Sequence, residues 1–168
     1  MSPDLTAEFA HLETRADAFV GRIRSYSPQV QAAPVGKSYS PLKALEHMFL
    51  VDRSYVEFAA KFDKTKSGGK PGKPSFIYRY VLRSLAKPSN FASPTLKRFE
   101  PENAMPLEEA ANKWRDERAK LVAYLENFDD NEAALKHPFF GLLSPRDMFI
   151  LSEKHLDYHG LRLPTESL

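Results

Sequence analysis

His155 and His159 lie four residues apart near the end of the sequence, in a stretch whose pattern predicts an amphipathic helix. Side chains at this spacing project from one face with Cβ atoms roughly 6 Å apart, so the two imidazoles can bind one metal ion. Met148 and Leu151 form an apolar stripe with His155, which directs this face towards the core. The pair alone also fits histidines that only hydrogen-bond a partner at the edge of a core.

His47 is the best candidate for a third ligand. It lies inside the apolar run Leu42–Phe58, where an unpaired imidazole is costly to bury. The alternative is a core histidine that bonds a hydroxyl or a carboxylate. The chain has no cysteine, so a metal site would use histidine and carboxylate ligands. Three protein ligands would leave coordination positions open, which is typical of catalytic metal sites.

The two remaining histidines are assigned to other roles. His11 lies beside Leu12 and off the apolar stripe of its helix, which indicates a surface residue. His137 precedes Pro138, and we expect it to bond backbone groups of a turn before the last helix. The alternative for His137 is a fourth ligand or a proton shuttle.

Two charged residues stand in apolar surroundings. Asp52 is predicted either to orient a ligand imidazole or to pair with an arginine. Arg118 interrupts an apolar stripe and therefore needs a partner, either Asp52 or Glu57 or the anion of a substrate near the metal. The candidates for catalytic roles are Asp52, Arg118 and Tyr158, with Asp157 as a further candidate base.

Serine–proline pairs mark helix boundaries, because serine caps a helix and proline suits its first turn. They predict helix starts at Ser2-Pro3, Ser40-Pro41 and Ser144-Pro145, a helix end at Ser27-Pro28, and a third helix from near Pro106. The predicted core stripe of the first helix is Leu5, Phe9, Leu12, Ala16, Phe19, Ile23 and Tyr26. Four amphipathic helices with one long connection predict an all-α four-helix bundle.

The connection between the second and third helices is strongly basic. Residues 61–98 hold ten Lys or Arg and one acid, a net charge of +9, so the rest of the chain carries +2 minus +9, or −7. Lys64–Pro74 is predicted as a flexible loop, Ser75–Ala86 as a short helix, and the prolines at 88, 94 and 101 as part of an irregular run. We expect the insertion, residues 61–104, to dock on the acidic body. Nucleic-acid binding is disfavoured because aromatic residues do not alternate with the loop lysines.

Composition is that of an ordinary globular domain. The 168 residues, 42% hydrophobic and 27% charged, predict a single domain over residues 1–168. The N-terminal residues are polar and acidic, so no signal peptide is predicted. No apolar run is long enough to span a membrane, and a cytoplasmic location fits the absence of cysteine.

Two segments, Ser40–Asp52 and His137–Leu163, resemble the DinB-like (YfiT-like) metalloenzymes. The second contains both the H-P-F-F-G turn and the H-x3-H helix. The resemblance implies a four-helix bundle that binds a divalent metal, zinc or nickel, through one histidine of the second helix and two of the fourth. These correspond to His47, His155 and His159. The chain departs from the family at Tyr39, where many members carry Trp, and in the basic insertion.

The resemblance also implies a function. Family members with an assigned activity are commonly metal-dependent transferases that act on low-molecular-weight thiols, so our first hypothesis is thiol transfer or isomerisation of a small-molecule substrate. The second is a non-catalytic metal- or ligand-binding bundle of the stress response. The third is a nucleic-acid-associated damage-response protein, which the near-neutral net charge of +2 disfavours. A homodimer is kept as an expectation that the sequence does not specify.

Overall fold

The computed structural model describes residues 1–36, 38–67, 70–85, 99–101 and 105–165. Four long helices form the bundle: α1 (Pro3–Arg24), α3 (Pro41–Ala60), α6 (Leu107–Leu125) and α7 (Pro145–Gly160). A short helix, α2 (Pro28–Ala32), follows α1. The predicted four-helix bundle is therefore confirmed. None of the helices in the described part of the chain combines the length and hydropathy needed to cross a membrane.

Serine caps set where these helices begin. The Oγ atoms of Ser2, Ser40 and Ser144 each accept from the backbone N–H three residues later, and Pro occupies the first helical position. Ser144 and Asp147 complete a reciprocal capping box at α7. Ser27-Pro28, predicted only to end the first helix, also caps α2. The registers of α3 and α7, and with them the positions of the histidines, are fixed by these local signals.

The core lies where the stripes predict it. All seven residues of the predicted α1 stripe are buried, from Leu5 to Tyr26. α3 buries residues on much of its girth and packs along α6, whereas α1 packs against α7. Trp114 of α6 is 1% exposed and contacts Phe19 edge-on, with ring centroids 5.9 Å apart. Burial of these faces against each other holds the four helices in one bundle.

A small antiparallel sheet, which the all-α prediction did not include, closes the end of the bundle where α7 begins. Its strands are β1 (Lys73–Pro74), β2 (Leu135–His137) and β3 (Gly141–Leu143), in the order β1-β3-β2. Gly141 has a φ of +83°, and a Cβ there would lie 2.8 Å from the carbonyl oxygen of Lys73. The glycine of the H-P-F-F-G sequence is thus required by a hairpin.

The insertion is more ordered than the loop predicted for Lys64–Pro74. Lys64–Ser67 form a helical turn, α4, and the segment that follows residues 68 and 69 pairs with the hairpin region. Gly72 N donates to Asn131 O and Ala133 N donates to Lys70 O, both at 2.8 Å. The prediction of a freely flexible loop is therefore wrong from Lys70 onward, because its backbone groups are satisfied by the body of the domain.

The short helix predicted after this loop is present as α5 (Phe76–Leu85). The Tyr78 hydroxyl donates to the Asp147 carbonyl at 2.8 Å, which ties α5 to the start of α7. Lys64 pairs with Glu132 at 3.6 Å, one contact of the kind expected between the basic insertion and the acidic body. Ala86 and the predicted irregular run through Pro88 and Pro94 lie outside the described residues.

Candidate metal centre

Three histidines from two helices converge at the end of the bundle opposite the hairpin. His47 lies two turns into α3, and His155 and His159 lie in the last turns of α7. His47 and His159 are buried, and His155 is partly accessible. One ligand atom from each of the three lies within 4.8 Å of the others. The structure thus brings together the three residues that the sequence proposed as ligands.

The distances between their Nε2 atoms fit a shared ion. His155 Nε2 is 3.3 Å from His47 Nε2 and 3.1 Å from His159 Nε2. Nitrogen atoms bound tetrahedrally at roughly 2.0–2.1 Å lie roughly 3.3–3.4 Å from one another. A single proton on His155 Nε2 could bond only one of the two neighbours, whereas one cation could bind all three. The donor set therefore fits a borderline divalent metal such as zinc or nickel.

A backbone carbonyl fixes the orientation of His47. Its Nδ1 donates to the Phe99 carbonyl oxygen at 2.9 Å, so the Nε2 atom keeps its lone pair for a metal. Tyr39 packs against the same ring, with centroids 5.5 Å apart. The Phe99 contact could not be predicted from the sequence, because a backbone acceptor 52 residues away has no residue-type signature.

All three imidazoles are held in the neutral state that metal binding requires. Burial lowers the pKa of His47, and the hydrogen bond to Phe99 opposes this only in part. Burial of the ring, with a smaller effect of His47, lowers the pKa of His155 to about 3. Burial, then His155, His47 and Arg162, place the pKa of His159 well below its usual value. The protonated form of each imidazole is disfavoured because the three rings pack together and shield one another from water.

Acidification should therefore destabilise the metal-free protein. Each histidine with a lowered pKa binds a proton more readily in the unfolded chain than in the folded one, so the free energy of unfolding falls as the pH drops below about 6.5. The slope approaches about 1.4 kcal/mol per pH unit for each such histidine. Burial raises the pKa of Asp52 to about 6, so protonation of this carboxyl increases the free energy of unfolding as the pH falls from about 6 to 4. Asp52 is one group, and the three histidines outweigh it.

Urea denaturation in EDTA at pH 7.5 and pH 5.0 measures this effect. We expect a lower free energy of unfolding at pH 5.0 than at pH 7.5. The free energy of unfolding of His155→Gln should change less with pH, because this variant has one titrating ring fewer. His11→Gln is the matched control, since His11 is exposed on α1 and lies outside the three-histidine cluster. A free energy of unfolding that rises between pH 7.5 and 5.0 would contradict the buried neutral histidines.

The three histidines line a cavity of about 550 Å³. Tyr39, Tyr158 and Arg162 lie on its wall beside them. The Arg162 guanidinium stacks on the Tyr158 ring, 3.5 Å from its centroid, and donates to the Tyr158 carbonyl oxygen at 2.9 Å. Of the three residues proposed for catalysis, Tyr158 is the one that contributes to this cavity.

His137 has the turn role that the sequence assigned to it. Its Nδ1 accepts from the backbone N–H groups of Phe139 and Phe140, at 3.2 and 3.1 Å, and its ring stacks on Phe140. It lines the same cavity but does not belong to the three-histidine cluster. Asp157, the further candidate base, instead pairs with Arg15 on α1.

Asp52 was expected to orient a ligand imidazole or to pair with an arginine, but among the described residues its hydrogen-bond partner is Trp114, and Arg118 acts on it only through its charge. The Oδ2 atom of Asp52 accepts from Trp114 Nε1 at 2.7 Å, deep between α3 and α6. Burial raises the pKa of Asp52 to about 6, and the nearby Arg118 and the Trp114 hydrogen bond lower it. Asp52 lies five residues after His47, so it projects from another face of α3. It does not line the cavity.

Arg118 also lies outside the cavity, and neither of its expected partners holds it. Its guanidinium donates through Nε and Nη2 to both carboxylate oxygens of Glu13, at 2.7 and 2.9 Å. It stacks over Trp114 at 3.9 Å, and its buried Nη1 has no hydrogen-bond partner among the described residues. The expected pairing with Asp52 or Glu57 is thus replaced by a pairing with α1, which fits a structural role.

Comparisons with known proteins agree with this fold. A family model described as the DinB superfamily matches residues 11–162. The crystal structure of TT2238, a four-helix bundle protein, is similar over 94% of each chain, with 21% sequence identity and a TM-score of 0.53. That likeness shows the fold alone. No curated protein matches the chain significantly.

Proposed function

This chain belongs to the DinB superfamily, as the match over residues 11–162 shows, and from that premise we propose that it is a metal-dependent enzyme acting on a small molecule with a low-molecular-weight thiol. One observation carries the proposal: three neutral imidazoles, from His47, His155 and His159, converge at the wall of a cavity large enough for a small ligand. Zinc or nickel is the proposed metal.

His47, His155 and His159 would hold the ion. When bound, a divalent cation would supply a Lewis acid that favours the deprotonated form of a thiol at neutral pH. The chain itself keeps the imidazoles neutral by burying them, and it orients the His47 ring through the Phe99 carbonyl. Three protein ligands leave room for a substrate group beside them.

Arg162 and Tyr158 supply the polar wall next to the histidines. The guanidinium of Arg162 places a positive charge on the cavity surface, and it is oriented by stacking on Tyr158. Cysteine and glutathione, two natural low-molecular-weight thiols, carry carboxylates, which a guanidinium binds well. We propose that Arg162 positions the thiol through such a contact, with Tyr158 holding Arg162 in place.

Thiol consumption with a generic electrophile tests the function. Purified protein loaded with zinc or nickel is mixed with 1-chloro-2,4-dinitrobenzene and either cysteine or glutathione; the sulfur bonds to the ring carbon, chloride leaves and the thiol proton goes to the buffer. We expect an accelerated rate that is lost in EDTA and in His159→Ala. Equal rates with and without protein, across a panel of such thiols, would contradict the proposal.

The second candidate is a bundle that binds a metal or a small ligand without catalysis. It is favoured by the placement of Asp52 and Asp157, because the carboxylates offered as bases are engaged with Trp114 and Arg15 away from the cavity. Stable metal binding together with no thiol consumption in the same assay would support this candidate over the enzyme.

A further inference from the structure

The cavity extends away from the histidines along the bundle, towards the hairpin. Val51 and Tyr55, which also line it, lie one and two turns after His47 on α3. Leu151 lies one turn before His155 on α7 and lines it from the other side. At 1.5 Å per residue, the distance from His47 to Tyr55 is roughly 12 Å. The cavity therefore has a histidine end and a deep end.

Helix α5 of the insertion forms one wall of this cavity. Ile77, Val81 and Leu85, each four residues after the last, all line it, so one stripe of α5 faces inward. Phe76, Arg79, Tyr80 and Arg83 are exposed on the outside. The contacts of Tyr78 with the Asp147 carbonyl and the Phe140 ring hold this wall against α7 and the hairpin.

The two permanently charged side chains that line the cavity, Glu100 and Arg162, belong to its histidine end. Glu100 follows Phe99, whose carbonyl holds His47, and Arg162 lies three residues after His159. The deep end is lined mainly by the apolar side chains of Val51, Leu151, Phe140 and the stripe of α5. Two polar residues beside them already have backbone partners, since Ser54 Oγ donates to the Val51 carbonyl and His137 Nδ1 accepts from two hairpin amides. Tyr55 there is neutral, because burial and the neighbouring Asp52 raise its pKa. A charged group placed among these residues would lose its hydration without compensation.

We propose that α5 makes the deep end a binding site for an aryl or branched alkyl group of the substrate, whose polar end lies at the three histidines. This inference rests on the proposed metal function and adds the substrate class to it. A volume of about 550 Å³ is within the range of small-molecule sites and exceeds what a small thiol alone would fill. The insertion is thus a specificity element as well as a basic surface.

Hydroxamates of increasing size test this directly, because the hydroxamate group binds a metal through two oxygens and carries its substituent beyond it. The probes are acetohydroxamate, benzohydroxamate and 2-naphthohydroxamate, titrated calorimetrically into the nickel-loaded protein. We expect benzohydroxamate to bind roughly tenfold or more tightly than acetohydroxamate, because its ring leaves water.

Variants of Val81 assign the preference to α5. Val81→Phe should lower the affinity for benzohydroxamate several-fold and leave that for acetohydroxamate unchanged, because the new ring fills the deep end. Val81→Ala should shift the preference towards 2-naphthohydroxamate. This variant tests the same wall if Val81→Phe does not fold. Tyr80→Ala is the matched control, since Tyr80 is 61% exposed on the outer face of the same helix.

The outcomes separate the two proposals. Equal wild-type affinities for acetohydroxamate and benzohydroxamate would overturn the apolar site while leaving the metal site standing. So would a benzohydroxamate affinity that Val81→Phe leaves unchanged, or no gain of 2-naphthohydroxamate affinity in Val81→Ala. A protein that binds neither nickel nor acetohydroxamate would overturn both proposals.

Discussion

Replacing His155 by alanine is expected to weaken zinc or nickel binding by roughly tenfold or more, because removal of a ligand costs at least as much as removal of a residue that orients one. The wild-type protein should bind about one divalent ion per chain, since one set of three converging Nε2 atoms is present in the described part of the structure. His47→Ala and His159→Ala should have the same effect. Competition with a chromogenic chelator, together with metal analysis after dialysis, measures it.

Two other histidines serve as controls for this prediction. His11 is exposed on α1, and His137 uses its Nδ1 to accept from two amides of the hairpin. We therefore expect His11→Ala and His137→Ala to keep the metal affinity of the wild type. If alanine at 47, 155 and 159 left the bound metal unchanged, the assignment of the site would be wrong.

Arg118→Met is expected to lower the free energy of unfolding by about 3 kcal/mol, the lower end of the cost of breaking a buried ion pair. The arginine side chain is 8% exposed, whereas its partner Glu13 is 36% exposed and can be hydrated when left alone. The loss comes mainly from removing the positive charge of Arg118, which favours the ionised form of the buried Asp52, and from losing the packing on Trp114. Urea denaturation at pH 7.5 measures the change.

Further variants separate a structural role from a role in binding. Arg118→Met combined with Asp52→Asn should recover much of the lost stability, because no buried carboxylate then lacks its cation. Glu13→Gln should cost less than Arg118→Met, since the glutamine oxygen can still accept from the buried guanidinium and Asp52 remains as a nearby negative charge. Unchanged stability in Arg118→Met, together with weaker ligand binding, would show that Arg118 holds a substrate anion instead.

The features that the sequence predicted are those set by local patterns. The α1 stripe from Leu5 to Tyr26 and the caps at Ser2, Ser40 and Ser144 depend on residues within one or two turns, so they could be identified without tertiary information. The spacing of His155 and His159 placed both on one face of α7 for the same reason. The third histidine was found because His47 is unusual in an apolar helix.

The features that it missed depend on residues far apart in the chain. The sequence predicted that Arg118 needs an anionic partner. That partner is Glu13, 105 residues away in the chain, and no residue pattern specifies this pairing. The Phe99 carbonyl at His47 and the cavity wall of α5 were missed for the same reason. The sequence predicted a short helix over Ser75–Ala86 but did not predict that its inner face lines a cavity, with the basic residues on its outer face. The expected homodimer and the cytoplasmic location stay predictions.

X-ray absorption spectroscopy of the zinc-loaded protein is the measurement that tests the central claim most directly, because it counts the atoms bound to the ion. If His47, His155 and His159 hold one zinc ion, the spectrum will show three imidazole nitrogens at roughly 2.0–2.1 Å and at least one further light atom. The imidazole count should fall to two in His155→Ala. A zinc ion with fewer than three imidazole neighbours in the wild type, or the same count in His155→Ala, would contradict the three-histidine centre.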